Sequence, residues 1–170
     1  MKRRATLVLL CSLALSACGF KLKGLYEVPE ALQQLVIVEQ SAQPTALGRE
    51  LVKQLSGSGV VISEFAHYRL ELDTARYNKR ALTLSGTADA LEYELSGSVE
   101  FALYSSDNEL PLIERTVRAE RSFSARDPDN TATEVTTLAL ETIESSYTTE
   151  LNRALADQIV RQYLSYAPAN

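Results

Sequence analysis

The stretch Leu91-Glu92-Tyr93-Glu94-Leu95-Ser96-Gly97-Ser98-Val99-Glu100-Phe101-Ala102-Leu103 decides the class of fold. Leu91, Tyr93, Leu95, Val99, Phe101 and Leu103 occupy one phase of a period of two, and Glu92, Glu94, Ser96, Ser98 and Glu100 occupy the other. Successive side chains of a strand point to opposite faces, so this pattern describes a strand with one dry and one wet face. Gly97 falls in the dry phase and marks a bend or a bulge there. The same period appears upstream, where Tyr68, Leu70 and Leu72 alternate with Arg69, Glu71 and Asp73. It appears again from Leu112 to Phe123, with Glu114, Arg118 and Glu120 among the polar alternates. Ser105-Ser106-Asp107-Asn108 supplies the turn between the last two runs, and long antiparallel neighbours in a meander fit the spacing.

Further upstream, Leu35-Val36-Ile37-Val38 is a short continuous apolar run, as expected of a strand buried on both faces. Leu47, Leu51, Val52 and Leu55 recur at helical spacing; Thr45 starts that helix and Gly57-Ser58-Gly59 ends it. Val60-Val61-Ile62 is β-branched and reads as a second short strand. Two strands joined through a helix in one sheet are parallel, because the crossover carries the chain back to the starting edge.

Downstream, Asp127-Pro128-Asp129-Asn130 breaks the strand pattern, and Thr131-Ala132-Thr133-Glu134 has the spacing of a capping box. Val135, Leu138, Ile143, Tyr147, Leu151, Ala154, Leu155 and Ile159 then form one apolar stripe that runs on to Leu164, with Pro168 just past the end. Such a stripe is core against the sheet. The predicted class is therefore α+β: a two-layer sandwich with two helices packed on one face of a mixed, mostly antiparallel four- to five-stranded sheet.

The N-terminus carries a different kind of signal. Met1-Lys2-Arg3-Arg4 is a basic segment, Ala5 to Ala14 is almost unbroken apolar sequence too short to span a bilayer, and Leu15-Ser16-Ala17-Cys18 follows. A branched apolar residue, two small residues and a Cys form a lipobox. The small residues let a signal peptidase close around the backbone, and the thiol is the nucleophile that forms a thioether to a lipid. The expectation is cleavage between Ala17 and Cys18, with diacylglycerol on the sulfur and a further acyl chain on the new amine; two or more chains anchor stably. Gly19 stands where an Asp typically retains bacterial lipoproteins at the inner membrane, which favours the outer membrane. The expected organisation is a signal peptide over 1–17, a lipidated segment over 18–23, one domain over 24–166 and a tail over 167–170.

Composition narrows the function. The chain has 170 residues, 17 Lys and Arg against 22 Asp and Glu. Loss of Lys2, Arg3 and Arg4 leaves 14 basic residues and a side-chain charge of −8, which argues against a general binder of nucleic acid. Cys11 leaves with the signal and Cys18 is lipidated, so no thiol remains for a disulfide or a metal. The single His67 has no Cys or GxSxG serine to work with and reads as a surface or capping residue. No Gly-rich phosphate loop is present. Glu92 and Glu94 share one strand face and suit cross-strand pairing with Arg or Lys. Neither an enzyme, a metal site nor a cofactor is expected.

Cys18-Gly19-Phe20-Lys21-Leu22-Lys23-Gly24, followed by Pro29 and a short apolar strand, resembles the start of the LPS-assembly lipoproteins of the LptE (RlpB) family. Glu92-Tyr93 opening a strand, Arg121-Ser122-Phe123 closing one, and a C-terminal helix with Arg161 near its end extend the resemblance over the mature chain. It implies an outer-membrane lipoprotein facing the periplasm that binds the β-barrel protein LptD and sits in its lumen as a plug. The pair inserts lipopolysaccharide into the outer leaflet, and the family is thought to bind lipopolysaccharide through basic residues near a hairpin and at the start of the last helix. Ser85-Gly86-Thr87 hold the matching hairpin tip here and offer no cation.

Basic residues elsewhere are placed by the topology. Arg76, Lys79 and Arg80 lie near the end of the first long strand, and Arg115, Arg118, Arg121 and Arg126 on or after the last. In an up-down-up meander those two strands end at the same edge, so Lys79, Arg80, Arg121 and Arg126 are expected to gather there as lipopolysaccharide-binding candidates. Arg and Lys hold phosphates or sugar carboxylates by charge-assisted hydrogen bonds. The alternative to the plug is an auxiliary lipid-binding lipoprotein of another envelope transport system.

Overall fold

Alternation along the chain becomes one mixed sheet with its apolar face under two helices. The computed structural model describes residues 28–84, 90–124, 126–127, 130–134 and 137–166. A 3-10 turn (Glu30–Leu32) leads into β1 (Gln34–Glu39), α1 (Ala46–Gly57), β2 (Val61–Ile62), β3 (Tyr68–Leu72), β4 (Arg76–Leu84), β5 (Ala90–Ser105), β6 (Asn108–Ser124), a small hairpin of β7 (Arg126–Asp127) and β8 (Asn130–Glu134), and α2 (Thr137–Leu164). Cys18, the cleavage site, the domain start at Gly24 and the tip Ser85-Gly86-Thr87 lie outside the described residues.

β5 organises the sheet. One edge pairs with β6 along almost its whole length, from Glu92↔Ser124 to Ser105↔Asn108. The other edge is shared: β4 takes the first half, through Arg76↔Ser98, and β3 the second, through Leu72↔Phe101. All three pairings are antiparallel, the expected meander, and the Ser105–Asn108 turn closes it. β1 adds in parallel to β3, and β2 in parallel to β1 across α1, so the expected βαβ unit forms.

The core has three sources. Leu35, Tyr68, Leu70, Leu72, Leu95, Val99, Phe101, Leu103, Val117, Ala119 and Phe123 come from the sheet; Leu47, Leu51 and Leu55 from α1; Leu151, Leu155, Ala156, Ile159, Val160 and Tyr163 from α2. Both helices cover the same face. Among the described residues the other face carries no layer, which corrects the reading of β1 as buried on both sides: Leu35 is buried, but Val38 on the opposite phase is 41% exposed. Val52 is also turned outward, at 38% exposure, because it stands one residue off the Leu47–Leu51–Leu55 line.

Two more expectations change. Gly97 is neither bend nor bulge; pairing runs unbroken through Tyr77↔Gly97↔Ala119, and the register shifts fall at Ala81–Leu84 and Leu103–Ser105. Thr131–Glu134 is not a helix start but part of β8, paired with β7 through Asp127↔Asn130 and Arg126↔Glu134. The β-branched alternation Thr131-Ala132-Thr133 favours strand pairing over helix nucleation, so α2 begins at Thr137. Val135 lies outside the described residues, while Leu151, Leu155 and Ile159 of the expected stripe are buried and Ile143, Tyr147 and Ala154 are partly so.

Candidate functional site

Among the described residues the face of the sheet opposite the helices has no layer over it. Its residues follow from the register, since directly paired residues share a face. Because Gly97 lies on the helix side, Ser96 and Ser98 lie on the open side. Arg80, Glu94 and Ser122 form one cross-strand row, Asn78, Ser96 and Glu120 the next, Arg76, Ser98 and Arg118 a third. Beyond β4, Glu71, Ala102 and Glu114 form another row. The rows over β4, β5 and the facing part of β6 are polar, and small residues on the central strand β5 leave them shallowly concave, while Val36 and Val38 bring apolar side chains to the β1 end of the same face. Two hollows follow: one of about 280 Å³ at the end carrying Glu71, Asp73, Glu100 and Glu114, and one of about 220 Å³ around Arg76, Ser98 and Arg118.

Of the four expected basic residues, Lys79, Arg80 and Arg121 divide between the two faces of the sheet. Lys79 and Arg121 are both register partners of Leu95, a buried core residue, so they flank α2 on the helix side. Each pairs with that helix: Lys79 with Glu144, Arg121 Nε with Glu150 at 3.5 Å. Lys79 Nζ also lies 4.7 Å from the centre of the Tyr93 ring. Tyr93 stacks on Phe123, and Phe123 on Tyr147. Arg80 points to the open side and makes a two-pronged contact to Glu94, Nε to Oε1 at 2.6 Å and Nη2 to Oε2 at 3.1 Å. The Arg80 hydrogen bond holds the Glu94 carboxyl below its ordinary range, and the same contact raises the Arg80 guanidinium. Arg126 is in β7, next along the chain from β6, with its backbone paired to Glu134. The topology thus brings Lys79, Arg80 and Arg121 to one level of the sheet, and each is met there by a carboxylate of this chain.

Arg76 and Arg118 stand outside the four residues that the sequence singles out. They face each other across Ser98 on the open side. Their significance lies in strand register, which pairs residues 42 positions apart (76 and 118) through a strand that touches both; no local pattern carries it.

His67 ties a loop to the β5–β6 turn. Its Nδ1 lies 2.7 Å from Ser106 Oγ and its Nε2 3.1 Å from Ser105 Oγ, while the Ser106 amide donates to the His67 carbonyl. The group is exposed at the turn, as expected of a capping residue. Among the described residues no cluster of three His, Cys, Asp or Glu could hold a metal ion, and no helix is long and apolar enough to cross a membrane.

The family model for lipopolysaccharide assembly, LptE, matches residues 32–163, from the 3-10 turn to the end of α2. The chain belongs to the LptE family. Solved structures agree with this. Rare lipoprotein B from Shewanella oneidensis has a TM-score of 0.65 at 25% identity, covering 78% of this chain and 94% of that one. Lipoprotein B from Nitrosomonas europaea superposes with a TM-score of 0.64 at 23% identity, over 85% of this chain and 89% of its own. A minor lipoprotein from Acinetobacter baumannii gives 0.61 at 23%, over 81% and 94%. No curated protein sequence matches the chain. The LptE fold, two helices on a mixed sheet, is the architecture expected from the alternation and the apolar stripes.

Proposed function

We propose that this chain is an outer-membrane lipoprotein that assembles with the LptD β-barrel, fills its lumen as a plug and assists insertion of lipopolysaccharide into the outer leaflet. The observation that carries the reading is the LptE family match over residues 32–163. The open sheet face supports it: a barrel lumen is polar and hydrated, and rows of Arg, Glu and Ser complement such a wall through charge pairing that selects partner and register. The function is binding, not turnover. Anchoring is assigned to acyl chains on Cys18 after cleavage behind Ala17.

Lys79, Arg80, Arg121 and Arg126 are the proposed contacts to lipopolysaccharide. Binding there exchanges the carboxylates of Glu144, Glu94 and Glu150 for phosphates, so it weakens with salt. The double variant K79D/R126D is expected to retain less labelled lipopolysaccharide while its circular dichroism spectrum is unchanged; equal retention removes these residues from the assignment.

The decisive experiment is affinity purification of the full chain from detergent-solubilised outer membranes. Stoichiometric recovery of one large β-barrel protein, identified by mass as LptD, is the expected result. Recovery of a different envelope transporter replaces the plug by an auxiliary lipid-binding role. Intact-mass analysis of the same material reports the acyl chains at Cys18.

A further inference from the structure

We infer that Arg76 and Arg118 form a phosphate-binding site on the open face of the sheet, with Ser98 between them and Ser96 and Asn78 beside it. The inference deepens the proposed role and rests on it for its natural ligand, a phosphorylated glycolipid; the anion chemistry stands on the geometry alone.

Register is the first argument. Arg76↔Ser98↔Arg118 is a single cross-strand row of the open face, so the two Cα atoms are about 9.5 Å apart, two strand spacings. Arg side chains bridge that span onto one small anion above a serine. Both line the same hollow of about 220 Å³, with Asn78, Ser96 and Glu120. Ser96 and Ser98 leave the hollow open where bulkier residues of β5 would fill it.

Charge is the second argument. Arg69, Arg80, Arg121, Arg153, Arg161, Lys53 and Lys79 each have a carboxylate within 4.0 Å. Arg76 and Arg118, like Arg49 and Arg115, have none among the described residues, and of these four only Arg76 and Arg118 share a cross-strand row. The chain carries an excess of acid, so a partner for each was available, yet these two guanidiniums share a row. Two guanidiniums in one row repel each other across it, and an anion between them reverses the sign of that interaction.

The donor set selects phosphate. Two guanidinium forks supply paired N–H groups, and the hydroxyls of Ser96 and Ser98 with the amide of Asn78 add single donors. A phosphate monoester offers three terminal oxygens to this set, whereas a carboxylate offers two. Glu120 at the rim disfavours anions and moderates the affinity. Arg80, two rows along the same face, is held by Glu94, which leaves Arg76 and Arg118 as the point of first contact.

The test uses the full lipidated chain in detergent micelles with three probes: the diphosphorylated lipid anchor of lipopolysaccharide, the same glycolipid with its phosphates removed, and inorganic phosphate. R76A/R118A is expected to weaken binding of the phosphorylated glycolipid about tenfold, the loss of a charge-assisted contact. R76K/R118K, which keeps charge without the fork, falls between, and E120Q binds more tightly than the parent. The dephosphorylated glycolipid binds parent and R76A/R118A alike. Displacement of the glycolipid by inorganic phosphate assigns the site to the phosphate group alone; failure to displace assigns it to phosphate within the sugar headgroup. Equal binding of the phosphorylated probe by parent and R76A/R118A, with circular dichroism unchanged, overturns the inference. Recovery of the barrel is scored in parallel. Its loss from the parent chain sinks the plug reading and leaves the anion site standing, while unchanged phosphate binding with the barrel retained sinks the site alone.

Discussion

A methyl group at position 97 would lie 3.3 Å from Leu155 Cδ1 and 3.3 Å from the Tyr77 ring. This is tight, and it explains the glycine: α2 and the Tyr77 ring close on the sheet at this point. Tyr77 is fixed there by its hydroxyl hydrogen bond to the buried Asn152 of α2, and burial pushes the Tyr77 phenol pKa up. Overpacking a filled core typically costs about 1–3 kcal/mol, so G97V is expected to lower stability within that range in urea unfolding, and G97A by less, since the end of Leu155 yields by a few tenths of an ångström. A G97V chain as stable as the parent would show that Leu155 and Tyr77 do not pin this contact. The glycine's place on the dry face was legible from the period of two. Its reason was not, because Leu155 and Tyr77 reach it from elements distant in sequence.

The start of α1 shows local sequence deciding an element, with one long-range addition. Thr45 Oγ1 accepts from the Gly48 amide at 2.9 Å, the cap expected from the sequence. Glu39, at the end of β1, accepts from the Thr45 amide at 3.1 Å and from its hydroxyl. A carboxylate beside a helix N-terminus is favoured by the backbone dipoles. Gly48 leaves room for it: a methyl group there would fall 2.1 Å from Glu39 Oε1. T45A is expected to cost about 1 kcal/mol, the usual value of a lost N-cap. G48A drives the Glu39 carboxylate from its seat, so G48A and E39A destabilise by less together than the sum of the two singly; additive losses in a denaturation double-mutant cycle would contradict this coupling. At Thr131 the same kind of signal misled. Its capping-box spacing is genuine, but a hairpin that pairs Asp127 with Asn130 competes for the same residues. Thr45 has no such rival, because Pro44 precedes it and helical leucines follow.

At the scale of the molecule, both ends of the described chain are fastened through one phenol. Tyr163, fully buried near the end of α2, donates its hydroxyl to the Leu32 carbonyl at 2.7 Å. Burial raises the pKa of Tyr163, with Tyr68 adding to it, and burial also raises Tyr68 and Tyr77. The overall layers were readable from periodicity, yet this clasp joins residues 131 positions apart and follows only from the closed sandwich. It predicts alkaline behaviour. A phenol whose pKa is raised on folding keeps its proton in the native state while the unfolded chain releases it near pH 10. The unfolded state then binds fewer protons, so stability is intact below about pH 10 and falls as pH rises above it. At neutral pH, Y163F leaves the Leu32 carbonyl buried without a donor and is expected to cost about 1–3 kcal/mol. That deficit shrinks between about pH 10 and 11.5, because the variant has no phenol to titrate at this position while the parent loses stability there. Urea unfolding of parent and variant from pH 8 upward measures it. Two curves that stay parallel across that interval would mean that Tyr163 does not link proton binding to the closure of the sandwich.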